Sequence, residues 1–404
     1  MKKLLSTERM PALIIAFFLI CLVACVALYL FLDGYTAVDL IGHWRICKYT
    51  LEGYNPYVLI DEPAPIPSVG TIPFGFSTVP WSCVFGSIFY GGFMPQNWAA
   101  VYIFALHFLV LLLLLAVLYR KFNTVLSKKA LITVLLLPCV HFSFTYSLHF
   151  GNAGGIICYL IIIAFLISRE HPIITGILLG VAMMKPQIAA IICLVFLLKR
   201  QLLPLFIAAA IVLAGWGATA LFTSTPPLQL LAQTFGSGTA NSGQYLGLLN
   251  NLKFFGVDST LILLLNMVIG VAYTLALLHY IKKRYPAACN SLFVFVPACI
   301  ASTFWIYKNG TDYAILTFVS FFFLLLCMKE NTPIKDRIGS ILSMGYLQMS
   351  RCIVYLGIFL CRDNIFVRDL LKSADGVIIA IIGVYLCKLY ATAKIEPVLE
   401  TQGK

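Results

Sequence analysis

Asp39 is where chemistry can begin in this chain, and Gly53-Tyr54-Asn55-Pro56-Tyr57 follows it fourteen positions later. Almost everything around them is apolar. An ionisable side chain is costly near lipid, so a carboxylate kept at the mouth of a helical bundle marks a functional site. Four more polar stretches interrupt the apolar runs: His149-Phe150-Gly151-Asn152, Lys185-Pro186-Gln187, the segment from Thr223 to Ser259, and Tyr307-Lys308-Asn309-Gly310-Thr311-Asp312. One carboxylate beside several cations suits the movement of a group off an anionic, phosphate-like leaving group. The carboxylate takes a proton from an attacking hydroxyl, and fixed cations neutralise charge as it develops on the departing phosphate.

Each of these residues also has a plainer reading. Asp39 and Asp33 can both serve as loop-solvating carboxylates. His43, one helical turn beyond Asp39, reads as a structural partner. Arg45 and Lys48 read first as interface charges, because such side chains snorkel, with a phosphate contact as the second role of Arg45. His149 and Asn152 satisfy backbone at a helix break or face substrate. Lys185 stands apart, because a buried lysine without an anion tends to lose its charge, so it calls for a phosphate or carboxylate partner. The stretch from Gly236 to Gln244 is glycine-rich but lacks the lysine and strand-helix setting of a P-loop, and it reads as a mobile loop over an acceptor entrance.

The elements that must position these groups are membrane helices. With 61% hydrophobic and 11% charged residues and a mean hydropathy of +0.95, 404 residues cannot form a water-soluble globule. The expectation is an all-α integral membrane protein, a single polytopic domain over residues 1–404. A spanning helix takes about 20 apolar residues, which divides the chain into roughly twelve segments. The net charge of +12 does not point to nucleic acid, because the basic residues cluster at the ends of apolar runs: Arg120, Lys121, Lys128 and Lys129; Lys199 and Arg200; Lys282 to Arg284; Lys329, Lys335 and Arg337. If all are cytoplasmic, both termini are cytoplasmic as well. Most of the thirteen cysteines sit inside apolar runs as small hydrophobes. Neither a metal site nor a disulfide framework is expected, and Cys47 and Cys361 are isolated in sequence.

Pro11 to Phe31 is too long for a signal-peptide core and reads as a retained first span. Residues 33–96 then form an outer loop. Its part from Phe74 to Phe93 is read as an interfacial helix, since counting it as a crossing would invert every later basic loop; a full span is the rival reading. Further spans are expected over Trp98 to Tyr119, Ala130 to Leu148, Gly151 to Ile167, Pro172 to Met184, Ile188 to Leu198, Leu203 to Phe222, Thr260 to Ile281, Leu292 to Trp305, Asp312 to Met328, Ile338 to Leu360 and Gly376 to Tyr390. A second outer loop covers 223–259. The two segments flanking Lys185 are short enough to form a hairpin whose tip lies inside the protein, where irregular backbone is tolerated. Trp44, Trp81, Trp98 and Trp305 fit an interfacial belt.

Asp39 and Gly53-Tyr54-Asn55-Pro56-Tyr57 resemble the first outer loop of glycosyltransferase family 87, the polyprenyl-phosphate-mannose-dependent α-mannosyltransferases, where an Asp precedes a G-x-[ND]-P-Y element. The similarity continues through Pro80 and Pro95, at Gly151-Asn152, where the family usually has Gly-Gln, and from Gly176 through Gly180 to Lys185-Pro186-Gln187, close to a G-x-x-x-G…K-x-x-P region. It covers about the first 200 residues.

The resemblance implies a multi-span enzyme of the C superfamily of glycosyltransferases, using a lipid-linked sugar as co-substrate on the outer side of a bacterial inner membrane. Its partners would be a polyprenyl-phosphate sugar donor, a lipid or glycan acceptor and the surrounding membrane lipids. Asp39 would be the general base of an inverting displacement. Lys185 would contact the donor phosphate, with His149, Asn152, Lys308 and Arg45 as further substrate contacts and Gly53, Asn55, Pro56 and Tyr57 shaping the loop. The chain departs from the family where Ser302-Thr303-Phe304-Trp305 leads into Ile306-Tyr307-Lys308 without a histidine, so no histidine role is transferred; Lys308 or Asp312 would substitute in binding. The competing classes are a transporter or flippase, which would show repeats in corresponding halves, and a polysaccharide polymerase or ligase, suggested by Arg362, Asp363, Arg368, Asp369 and Lys372.

Overall fold

Proline, glycine and charge divide the apolar sequence into helices, and a computed structural model describes them over residues 38–60, 62–72, 78–242, 248–306, 309–329, 332–361 and 364–392. The expected first span, Asp33, Tyr307, Lys308, Arg362 and Asp363 lie outside the described residues. The helices are α1 (Val38–Leu51), α2 (Pro80–Phe85), α3 (Ser87–Tyr90), α4 (Gln96–Phe122), α5 (Lys128–Cys139), α6 (Phe142–Phe150), α7 (Gly154–Ile167), α8 (Pro172–Ala182), α9 (Pro186–Leu198), α10 (Leu202–Phe222), α11 (Pro227–Ser242), α12 (Ser259–Arg284), α13 (Val296–Ala301), α14 (Leu316–Met328), α15 (Ile334–Leu360) and α16 (Ile365–Thr392). Short 3-10 turns at Pro56–Val58, Asn250–Phe255, Pro286–Asn290, Leu292–Phe295 and Gly310–Ile315 join them.

Among the described residues, seven helical runs are long and apolar enough to cross a bilayer, and they make this an integral membrane protein. They are Gln96–Phe122, Lys128–Phe150, Leu202–Phe222, Ser259–Arg284, Gly310–Met328, Ile334–Ile358 and Ile365–Thr392. Four more expected spans appear as shorter apolar helices, Gly154–Ile167, Pro172–Ala182, Pro186–Leu198 and Leu292–Ala301. Each falls below the roughly 20 residues that a crossing takes. Of these, α7 is enclosed by protein, buried at every position from Gly154 to Leu166, whereas α8 leaves Ile173, Ile174 and Ile177 exposed and α9 leaves Leu197 and Leu198 exposed.

The chain alternates between two ends of the bundle. One end gathers the turn after α6, the break before α9 and the Gly310–Ile315 turn; the other gathers Lys121, Arg169, Lys199, Tyr285 and Arg337. Gly151 makes the first of these turns possible, ending α6 at φ 64°, where a side chain would strain the backbone. Between Phe74 and Phe93 the described residues form only α2 and α3, six and four residues long. At 1.5 Å per residue neither of these helices is long enough by itself to cross a bilayer, and residues 74–77 lie outside the described residues. Both are packed into protein, with Thr219 Oγ1 of α10 donating to Pro80 O at 2.7 Å.

The hairpin around Lys185 is visible in its register. A Cβ on Gly176 would meet Ile207 of α10, and one on Gly180 would meet Ile211, so α8 and α10 run parallel at a constant offset. Helix α9 must therefore return toward the start of α10, and the Lys185 tip sits level with the middle of α10. The two glycines let the backbones approach, as small residues four apart do between membrane helices. Gly180→Val is expected to lower stability by about 1–3 kcal/mol through overpacking, measured as thermal unfolding in detergent; an unchanged unfolding temperature would refute this close approach.

As far as Ser242 the glycine-rich stretch departs from expectation, and Gly243 and Gln244 lie outside the described residues. Helix α11 runs on to Ser242, because Pro227 opens it at the first turn and no proline interrupts the residues that follow.

Candidate functional site

The tip of the α8–α9 hairpin has irregular backbone deep in the bundle, so its carbonyls need donors. Two indoles supply them. Trp81 Nε1 donates to Met183 O at 2.7 Å and Trp305 Nε1 to Gln187 O at 2.6 Å. Trp44 donates to Met94 O at 3.1 Å. These three tryptophans are braces rather than belt residues, because buried carbonyls claim their N–H groups; Trp98, 66% exposed, keeps a lipid-facing position.

Held in this way, Lys185 projects onto Asp312, with Nζ 2.9 Å from Oδ1. Asp312 is fully buried at the start of the Gly310–Ile315 turn, and Asn309 N donates to its Oδ2 at 3.2 Å. Thr311 Oγ1 lies 3.2 Å from both Asp312 Oδ1 and Asn152 Oδ1, and its single proton serves one of them at a time. Asn152 Oδ1 also accepts from Gly154 N at 2.7 Å, which fixes its amide so that Nδ2 donates to Asp39 Oδ2 at 2.8 Å. Asn309 Nδ2 reaches the same oxygen at 3.3 Å. Glycine at 154 is required by this packing, since a Cβ there would sit 2.5 Å from Thr311 Oγ1 and 2.8 Å from Asp312 Oδ1.

Asp39 thus lies in the first turn of α1, half-buried, with both amide donors on Oδ2. Burial raises its carboxyl above the ordinary value, and the bonds from Asn152 and Asn309 and the nearby Lys185 cation pull against that rise. A carboxylate of this kind is a stronger proton acceptor than one in water. His43 stacks on Tyr90 with ring centroids 4.7 Å apart. Burial, aided by the Lys185 charge, holds His43 down to about 3. It is a neutral wall for the site at physiological pH.

The structure brings Asp39, Asn152 and Lys185 into one connected cluster. Arg45 and the Gly53–Tyr57 element are held by other partners. Arg45 Nη1 donates to Thr71 O at 2.6 Å and its guanidinium lies against Gly70, so it ties α1 to the loop that follows. His149 packs edge-on against Phe150 in the last turn of α6. The Gly53–Tyr57 element is a clamp. Gly53 turns the chain at φ 88°, and Asn55 Oδ1 caps Tyr57 N. Asn55 Nδ2 donates to Gln233 Oε1 at 3.0 Å, which joins the first loop to α11; Pro56 is buried; Tyr57 donates to Thr78 O at 2.6 Å. Lys308 lies outside the described residues.

The sequence presents Asn309 and Thr311 only as members of a polar stretch, and Asp312 only as a substitute in binding. The signal for Asp312 was its charge at the head of an apolar run. Nothing in the spacing distinguishes Asn309 or Thr311 from ordinary turn residues. Of the charges suggestive of a polymerase, Asp369 and Lys372 are engaged in structure, Asp369 being bound by Lys253 and Lys372. Among the described residues, no three His, Cys, Asp or Glu side chains gather as a metal site, and Cys47 and Cys361 are free thiols.

No curated protein and no solved structure matches the chain. The family model of glycosyltransferase family 87 matches residues 79–328, more than half of the chain. That span holds Asn152, Lys185, Asn309 and Asp312, while Asp39 lies upstream of it.

Proposed function

Because the chain belongs to glycosyltransferase family 87 and is a membrane glycosyltransferase, we propose that it moves a hexose, mannose in the first instance, from a polyprenyl-phosphate donor to a lipid or glycan acceptor. The observation that carries this reading is the cluster in which a half-buried carboxylate, Asp39, is coupled through Asn152 and Thr311 to the Lys185–Asp312 pair. Asp39 takes the proton of the acceptor hydroxyl. That oxygen attacks the anomeric carbon as the bond to the phosphate oxygen breaks, so the anomeric centre inverts without a covalent intermediate. Lys185 faces the leaving phosphate and offsets its growing charge. The basic helix ends lie away from the cluster, which supports a site on the outer, periplasmic face of a bacterial inner membrane with both termini cytoplasmic. Family membership displaces the transporter reading.

The test is transfer of radiolabelled sugar from synthetic polyprenyl-phosphate mannose to membrane lipids by purified protein, with the glucose and arabinose analogues alongside. Transfer from one of them confirms the class of donor and names the sugar. Failure of all three with folded protein rejects the donor.

Asn152 gives a finer check in the same assay. Its bond lowers the Asp39 pKa, so Asn152→Ala removes a restraint on an already raised value. The acid limb of kcat/KM is expected to move to higher pH, with the plateau lowered about 10- to 100-fold by loss of a hydrogen bond to a charged group. An unmoved limb would show that Asp39 is not the titrating base.

A further inference from the structure

A second site lies at the far end of the bundle. Lys121 in the last turn of α4, Arg169 just after α7 and Lys199 just after α9 surround one pocket, with Phe295 and the buried Ser168 and Ser291 among its walls. Helices α7 and α9 both begin at the Asp39 cluster and end here. They are 14 and 13 residues long, which puts this pocket about 20 Å from that cluster. It belongs to different chemistry.

Three basic side chains line this pocket. Lys121 pairs with Glu170, whose side chain is half exposed. Arg169 donates to the backbone oxygen of Asn290, which helps fix its guanidinium at the pocket. Lys199 lies over the Phe295 ring, 5.2 Å from its centroid. Burial, and then the charge of Arg169, hold the Lys199 ammonium down to about 8. Like charges kept this close repel unless an anion joins them. The surface beside the pocket is apolar and open: Leu197, Leu198, Leu202 and Leu203 are each about half exposed. Concentrated positive charge bordered by an oily wall has the form of a phospholipid site, with basic residues between helices for the headgroup.

We infer that the pocket formed by Lys121, Arg169 and Lys199 binds a phosphate group, supplied by the headgroup of an anionic phospholipid whose acyl chains lie over Leu197, Leu198, Leu202 and Leu203. The bound lipid joins α4, α7 and α9 at the end opposite the sugar-transfer site. It stabilises the hairpin that carries Lys185 without entering the reaction.

The experiment titrates the purified full-length protein in neutral detergent with phosphatidylglycerol, phosphatidylcholine or inorganic phosphate and follows the unfolding temperature. Phosphatidylglycerol is expected to raise it by roughly 2–4 °C and phosphatidylcholine to leave it unchanged. The rise is expected to vanish in Arg169→Gln and Lys199→Gln and to persist in Lys199→Arg. Arg169 is exposed, so its variant carries the test if Lys199→Gln fails to fold. A rise with inorganic phosphate that disappears in the same variants would retain the phosphate pocket and reject lipid as its source. Equal rises with both lipids, or a phosphatidylglycerol rise kept in both glutamine variants, would overturn the site.

Discussion

Asp39→Asn is expected to lower kcat for sugar transfer by about 10²- to 10⁴-fold, the contribution of a positioned general base, while the protein stays folded. The substitution preserves shape and leaves an oxygen for the Asn152 and Asn309 amides. Its effect on stability follows from the sign of the shift at Asp39. Burial raises that carboxyl, so between its unfolded and folded values the native state binds more protons than the unfolded chain. Stability contributed there is present at low pH and lost as pH rises through the folded value. Asparagine cannot ionise and escapes that loss, so at neutral pH the variant should unfold no earlier than the wild type. Wild-type activity has the opposite dependence, falling as acid protonates the base. Kinetics and thermal unfolding measured on the same preparations decide the matter. Substantial transfer by a folded Asp39→Asn protein would remove Asp39 as the base.

Much of this arrangement was legible in sequence because membrane helices are written in long apolar runs, and basic clusters mark one set of ends. The placement of Lys185 was legible for the same reason: two apolar segments too short to span, joined by Lys185-Pro186-Gln187, leave a charged tip within the bundle. Its partner was harder to read. Lys185 called for an anion, and the fold supplies Asp312 from a segment 127 positions away, a distance at which periodicity carries no information. Arg45 and three of the tryptophans, Trp44, Trp81 and Trp305, misled for a related reason. Composition gives a side chain's chemistry, but the backbone oxygens of Thr71, Met94, Met183 and Gln187 that claim their N–H groups appear only once the loops have folded.

The Lys185–Asp312 pair has two roles that a single substitution confounds, and a mutant cycle separates them. Lys185→Met leaves Asp312 buried without its cation. The pair is 10% and 0% exposed, so breaking it is expected to cost about 3–5 kcal/mol and to abolish transfer, an outcome that a purely structural lysine would also give. Lys185→Met combined with Asp312→Asn removes both charges and keeps an oxygen for the Asn309 backbone N–H. Replacing a whole buried pair by neutral groups is close to neutral for stability, so the double variant is expected to unfold within about 1 kcal/mol of wild type. Transfer should remain at least about 100-fold down, because the leaving phosphate has lost the cation that offsets its charge. The decisive comparison is therefore between recovered stability and recovered kcat in the double variant. Stability returning alone assigns Lys185 to the donor phosphate. Both returning together would make the lysine a brace for the Gly310–Ile315 turn and leave charge compensation to another group.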